Sequence, residues 1–107
     1  MRTRLIVMRH AKSSWSDASL DDHDRPLNKR GRRDAPRIAH ELHHRGWIPD
    51  RIRVSSSKRT IQTLELMDSI SNAAIIDVEP NLYHSTISAL MQAVEEVEEG
   101  KLSLIHI

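Results

Sequence analysis

Two short polar segments carry residue types suited to chemistry at phosphorus. The first is Arg9-His10. An imidazole can attack phosphorus directly if neighbouring positive charge holds the phosphoryl group and neutralises its oxygens. Arginine suits that task because its planar fork binds two oxygens at once and keeps its charge. The second is Ser55-Ser56-Ser57-Lys58-Arg59-Thr60-Ile61-Gln62-Thr63. Here Arg59 falls in what should be the first turn of a helix, where backbone N–H groups favour anions and an arginine adds a full charge. Neither segment is specific alone. Arg9-His10 also reads as a solvated loop pair, and the second segment as a Ser-capped helix with a surface arginine.

What makes them worth pairing is the pattern of elements around them. Residues 3–8 (TRLIVM) are apolar and β-branched and read as a buried strand that ends abruptly at Arg9-His10. Strand ends running into polar turns are where α/β proteins place ligand chemistry. Residues 16–26 are acidic and irregular, hence a loop. Asn28 is a good N-cap for a helix reaching about Arg45 and stopped by Gly46, with Ala35, Ile38, Ala39 and Leu42 on one apolar face. Pro36 should kink or restart that helix. A second strand is expected at 51–55, a helix at about 57–70 with Ile61, Leu64 and Met67 on one face, and a third strand at 74–78. Leu82-Tyr83 reads as a connector. A helix from Thr86 to about Glu98 carries Leu90, Met91, Ala93, Val94 and Val97; Gly100 ends it and a fourth strand begins at Leu102. Strict β-α alternation predicts an α/β fold, a mainly parallel sheet covered by helices, and places Arg59 on the same sheet edge as His10.

Bulk properties narrow the classes further. A length of 107 residues suits one domain with one core. With 38% hydrophobic and 29% charged residues, the composition is that of an ordinary globular chain. There is no run of ~20 apolar residues to span a membrane, no signal-peptide pattern and no cysteine, so no membrane role is expected and the cytoplasm is the default address. The net charge of +1 hides an asymmetry: residues 1–60 hold 15 Lys/Arg and 7 Asp/Glu, net +8, and residues 61–107 hold 1 and 8, net −7. A basic front half fits a phosphorylated or polyanionic partner, or simply uneven surface charge. Trp15, Trp47 and Tyr83 are too scattered for a base-stacking platform, so nucleic acid is not the expected partner. His40 and His44 have the spacing of a metal pair, but no third ligand is placed by pattern, and a solvated helix face is the expectation; no metal or other cofactor is called for.

Taken together, these segments resemble the histidine phosphatase superfamily, with its phosphoglycerate-mutase-like fold. The family's arginine-histidine-glycine signature stands here as Arg9-His10-Ala11. Its serine-proline-x-x-arginine-alanine-x-glutamine-threonine stretch stands as Ser55 to Thr63, with Ser56 for proline and Thr60 for alanine. Between them, Pro26-Leu27-Asn28-Lys29-Arg30-Gly31 matches a third family segment. Within the family, Arg9-His10-Ala11-Lys12-Ser13-Ser14-Trp15, Asp24-Arg25-Pro26-Leu27 and Glu79-Pro80-Asn81-Leu82-Tyr83 resemble the SixA-type phosphohistidine phosphatases. The resemblance implies a three-layer α/β/α domain. It implies His10 as the nucleophile that is phosphorylated, Arg9 and Arg59 as the clamp on the phosphoryl oxygens, and Lys12 and Ser13 as lesser phosphate contacts. The implied partner is a protein carrying phosphohistidine. The mutase-type relatives' glutamate acid sits in a long insertion that this chain lacks, which fits a phosphorylated imidazole, whose P–N bond is labile once the ring is protonated.

The resemblance also implies something missing. The family's second active-site histidine follows a strand resembling residues 102–107, where this chain ends. His106 lies inside that strand and reads as a strand residue, and His84 as a loop residue near the site entrance. Residues 1–107 are therefore expected to be one incomplete domain, lacking its last strands and helix. The expected results are a rate lower by about 10²–10³ for want of one phosphate donor and an open edge beside the first strand that invites self-association. Two other functions remain open: a phosphatase of small phosphomonoesters, and a non-catalytic fragment that binds phosphate.

Overall fold

The computed structural model describes residues 2–9, 14, 16 and 19–107. Four parallel strands form one sheet: β1 (Arg4–Met8), β2 (Arg51–Val54), β3 (Ile75–Val78) and β4 (Leu102–His106), in the order β1-β4-β2-β3. The last strand is thus inserted between the first two, pairing Ile6 with Leu104 on one side and Ile52 with Leu104 on the other. All five residues of β4 are buried, as expected of a parallel strand covered on both faces. Among the described residues β1 pairs with β4 alone, so it forms one sheet edge.

The alternation of side chains along the strands separates two cores. Ile52, Val54 and Leu104 face α1 (Lys29–His44), α2 (Lys58–Glu65) and α3 (Asp68–Ser71), where Ala35, Ala39, Leu64, Met67 and Ile70 pack against them. Ile105, one residue on from Leu104, faces the other way, onto Leu82 and onto Ala93 of α4 (Ile87–Glu95). This is the expected three-layer α/β/α arrangement.

Most boundaries fall where the sequence places them. The Asn28 side chain caps α1 by accepting from the Gly31 N–H at 2.8 Å, and Gly46 follows its end at φ +71°, a value that suits glycine. The differences have physical reasons. Pro36 neither splits nor restarts α1, which runs unbroken for 16 residues. Pro36 and Arg32 are both exposed, so the carbonyl that Pro36 cannot bond lies on the solvent side. Ile38 is half exposed rather than core. The helix expected over 57–70 is two pieces, because Met67 leaves the helical conformation (φ −107°, ψ 30°). Three-residue steps along an α-helix drift by about 60° each, so an unbroken helix would carry Ile70 off the face that holds Leu64. The break returns Ile70 to the core, where it is 1% exposed. Finally, α4 ends at Glu95 rather than near Glu98, and Met91 is half exposed.

Candidate active site

The carboxyl-terminal ends of β1 and β2 open onto a cleft of about 470 Å³ whose walls include Arg9, Ser55, Ser57, Arg59, Tyr83 and His84. The turn leaving β2 is held by hydroxyls. Thr60 Oγ1 lies 2.9 Å from the hydroxyls of Ser55 and Ser57 and from their carbonyl oxygens, and all three residues are buried. A buried polar cluster satisfied in this way is rigid. It fixes the first turn of α2, which carries Arg59. The two departures from the family pattern within the Ser55–Thr63 segment are thereby accounted for. Thr60, in place of alanine, staples the turn, and Ser56, in place of proline, bonds His23 Nε2 at 2.9 Å. Gln62 of the same segment accepts from the Leu27 N–H at 2.9 Å, tying it to the Pro26-Leu27 segment.

Arg59 is 7% exposed. Its guanidinium donates to the Asp22 carbonyl oxygen at 2.6 Å through Nη1 and to Asp22 Oδ2 at 2.9 Å through Nη2. The Tyr83 hydroxyl donates to the same Oδ2 at 2.7 Å, and His84 Nε2 lies 3.2 Å from it. Arg25 Nη2 is 3.2 Å from Asp22 Oδ1. Asp22 is therefore the hub of the cleft wall. The Tyr83 hydrogen bond, followed by Arg59 and Arg25 and against the effect of burial, holds its carboxyl at about 2 rather than 3.8. Burial and the Asp22 carboxylate push the Tyr83 phenol up. The guanidinium of Arg59 also lies 5.7 Å from the centre of the Tyr83 ring, and His23 packs edge-on to that ring at 4.7 Å.

The structure brings Arg9 and Arg59 to one cleft, as the sequence anticipates. His10, Lys12 and Ser13 lie outside the described residues; in sequence His10 directly follows Arg9, which lines the cleft. His106 is fully buried in β4, as read from its place in the strand, and His40, His43 and His44 are exposed on α1. His84, placed at the entrance by sequence, lines the cleft. The residues that sequence reasoning passed over are Asp22, Arg25 and Tyr83 acting together. Asp22 sits in a 3₁₀ turn (Asp22–Asp24) within an acidic stretch that has no periodicity. The only signal of it was its closeness to Arg25-Pro26-Leu27. Among the described residues no helix is long and apolar enough to cross a membrane.

A cleft with two arginines at the carboxyl ends of parallel strands can bind and polarise a phosphoryl group. Comparison with known proteins agrees. An uncharacterised chloroplastic protein of Arabidopsis thaliana is 52% identical over 66 residues, which is 62% of this chain and 30% of that protein. The chain thus spans less than a third of that curated relative. Among solved structures, a SixA protein of Agrobacterium tumefaciens, provisionally designated a phosphohistidine phosphatase, superposes with a TM-score of 0.88 at 27% identity, over 99% of this chain and 70% of its own. A similarly designated SixA protein of Nakamurella multipartitia gives 0.76 at 31% identity, over 95% of this chain and 56% of its own. The sequence profile of the histidine phosphatase superfamily (branch 1) matches residues 5–100, and the chain belongs to that superfamily.

Proposed function

We propose that the protein is a phosphatase of protein phosphohistidine that works through a phosphorylated His10. In this reading Arg9 and Arg59 clamp the phosphoryl oxygens, Lys12 and Ser13 add lesser contacts, and no metal or other cofactor takes part. His10 attacks in line as the P–N bond of the substrate breaks, and water then hydrolyses the phosphoenzyme. The observation that carries the reading is the placement of Arg59. It is buried, anchored by Asp22 and set in the same cleft as Arg9, the residue before His10. The SixA designation of the two solved relatives supports phosphohistidine over small phosphomonoesters. The partner is then a phosphorylated protein in the cytoplasm, and a second copy of the chain could add to the free edge of β1, where Val7 is half exposed. Residues 1–107 are read as one incomplete domain, because the Agrobacterium structure extends over a further 30% of its own length.

Turnover of a phosphohistidine peptide, a phosphoserine peptide and a sugar phosphate at equal concentrations tests the substrate class. The phosphohistidine peptide should be hydrolysed fastest. A sugar phosphate hydrolysed faster would move the enzyme to small phosphomonoesters.

A further inference from the structure

The cleft holds an imidazole that the reading above does not use. His84 lines it beside Arg59 and Tyr83. Its backbone is in the left-handed region (φ 47°), the only non-glycine residue there among those described. Such a conformation strains a residue with a Cβ and recurs at functional sites. Two contacts hold the ring. Nε2 lies 3.2 Å from Asp22 Oδ2, and the ring centre is 4.2 Å from that of Tyr83. With Nε2 turned to a carboxylate, Nδ1 is the ring atom left to serve a ligand. The side chain is 69% exposed, so it sits at the rim, where it can exchange protons with water. The charged and titratable groups around it are Asp22, with Arg25 on its far oxygen, Arg59, Tyr83 and Arg9.

A carboxylate behind an imidazole that faces a phosphate cleft is an arrangement for moving protons. We propose that His84, oriented by Asp22, is the proton donor to the departing imidazole. This rests on the reading of His10 as nucleophile. In the first step a ring nitrogen of His10 bonds to phosphorus while the substrate's P–N bond breaks, its electron pair staying on the substrate nitrogen. The proton of the His84 imidazolium passes to the other ring nitrogen of the substrate, so the leaving group departs as neutral imidazole rather than as an anion. His84 is left neutral and takes the proton released when water attacks the phosphoenzyme, while His10 departs with its electron pair. Asp22 stays a carboxylate throughout and orients the ring through its 3.2 Å contact with Nε2; it is a positioning residue. A rim position fits this role. In this proposal the phosphoryl group is held by Arg9 and Arg59, and the substrate ring lies toward the rim that His84 lines.

The test compares phosphoenzyme formation from two donors. A phosphohistidine peptide needs its leaving group protonated, whereas acetyl phosphate releases a stable anion. His84→Asn removes the titrating group but keeps a residue that tolerates the left-handed backbone. It should lower the ratio of the two rates (peptide over acetyl phosphate) by about 10²-fold, the lower end of what a positioned proton donor contributes. In His84→Ala, added imidazole should restore part of the peptide rate. An unchanged ratio, or no rescue, overturns the role of His84 while leaving His10 in place. A wild-type chain that forms no phosphoenzyme from either donor overturns the proposed function, and this inference with it.

Discussion

Asp22→Asn removes the charge that gathers Arg59, Arg25, Tyr83 and His84 while preserving size and one acceptor oxygen. Its effect can be worked from the structure. Lowering a carboxyl from 3.8 to about 2 corresponds at face value to about 2 kcal/mol of folding stability. The side chain is 36% exposed, so solvent screening reduces this to about 1 kcal/mol. That should cost the variant on the order of 5 °C in Tm at pH 7 for a chain of this size. The pH dependence follows from the sign of the shift. The folded value lies below the unfolded one, so the unfolded state binds more protons between them. The contribution is then complete above about pH 4–5 and is lost as pH falls through about 2, with roughly half gone by pH 3. Urea unfolding of both proteins at pH 7, 5, 4 and 3 measures this. The stability difference should be level from pH 7 to 5 and shrink below pH 4. A difference that stayed constant down to pH 3, or a variant as stable as wild type at pH 7, would show that Asp22 does not anchor the cleft.

Two further substitutions probe separate parts of the account. Arg59→Lys keeps a positive charge but loses the planar fork, and should weaken vanadate binding by about 10–100-fold by titration calorimetry; unchanged affinity would remove Arg59 from the phosphate clamp. Arg53, on the α4 side of β2, bonds both oxygens of Glu79, together with Glu96 and the Ala93 carbonyl. This pairing holds the Glu79 carboxyl below its usual range. Arg53→Met strands Glu79 partly buried and should cost about 2–3 kcal/mol in urea unfolding; a loss below about 0.5 kcal/mol would show the network to be surface decoration.

How far the sequence could be read depended on whether a residue announces its role locally. The order of strands and helices was legible because β-branched runs such as Leu5 to Met8 and caps such as Asn28 and Gly46 act within a few residues. The placement of Arg59 in the first turn of α2, beside the end of β1, followed from β-α alternation alone. The break at Met67 was not legible, because Leu64, Met67 and Ile70 share a spacing that a single helix nearly satisfies. Only the shape of the core against Ile52 and Val54 decides that Ile70 must turn inward. The Asp22 hub was hidden for a different reason. Its partners lie 3, 37, 61 and 62 positions along the chain, so no window on the sequence contains it. Thr60 looked like a departure from a family pattern until its hydroxyl was seen to close the Ser55–Ser57 turn. The strand order, with β4 between β1 and β2, also rests on non-local pairing that periodicity does not report.

The central claim, that His10 receives the phosphoryl group, is tested most directly by trapping. The chain is mixed with a phosphohistidine peptide, quenched in alkali, which preserves P–N bonds, and mapped by mass spectrometry. Stoichiometric trapping needs only the first half of the reaction, so slow turnover does not obscure it. The account predicts a phosphoryl group on His10, stable to alkali and lost in acid, that disappears in His10→Ala. Phosphate found on another residue, or label retained in His10→Ala, would contradict it.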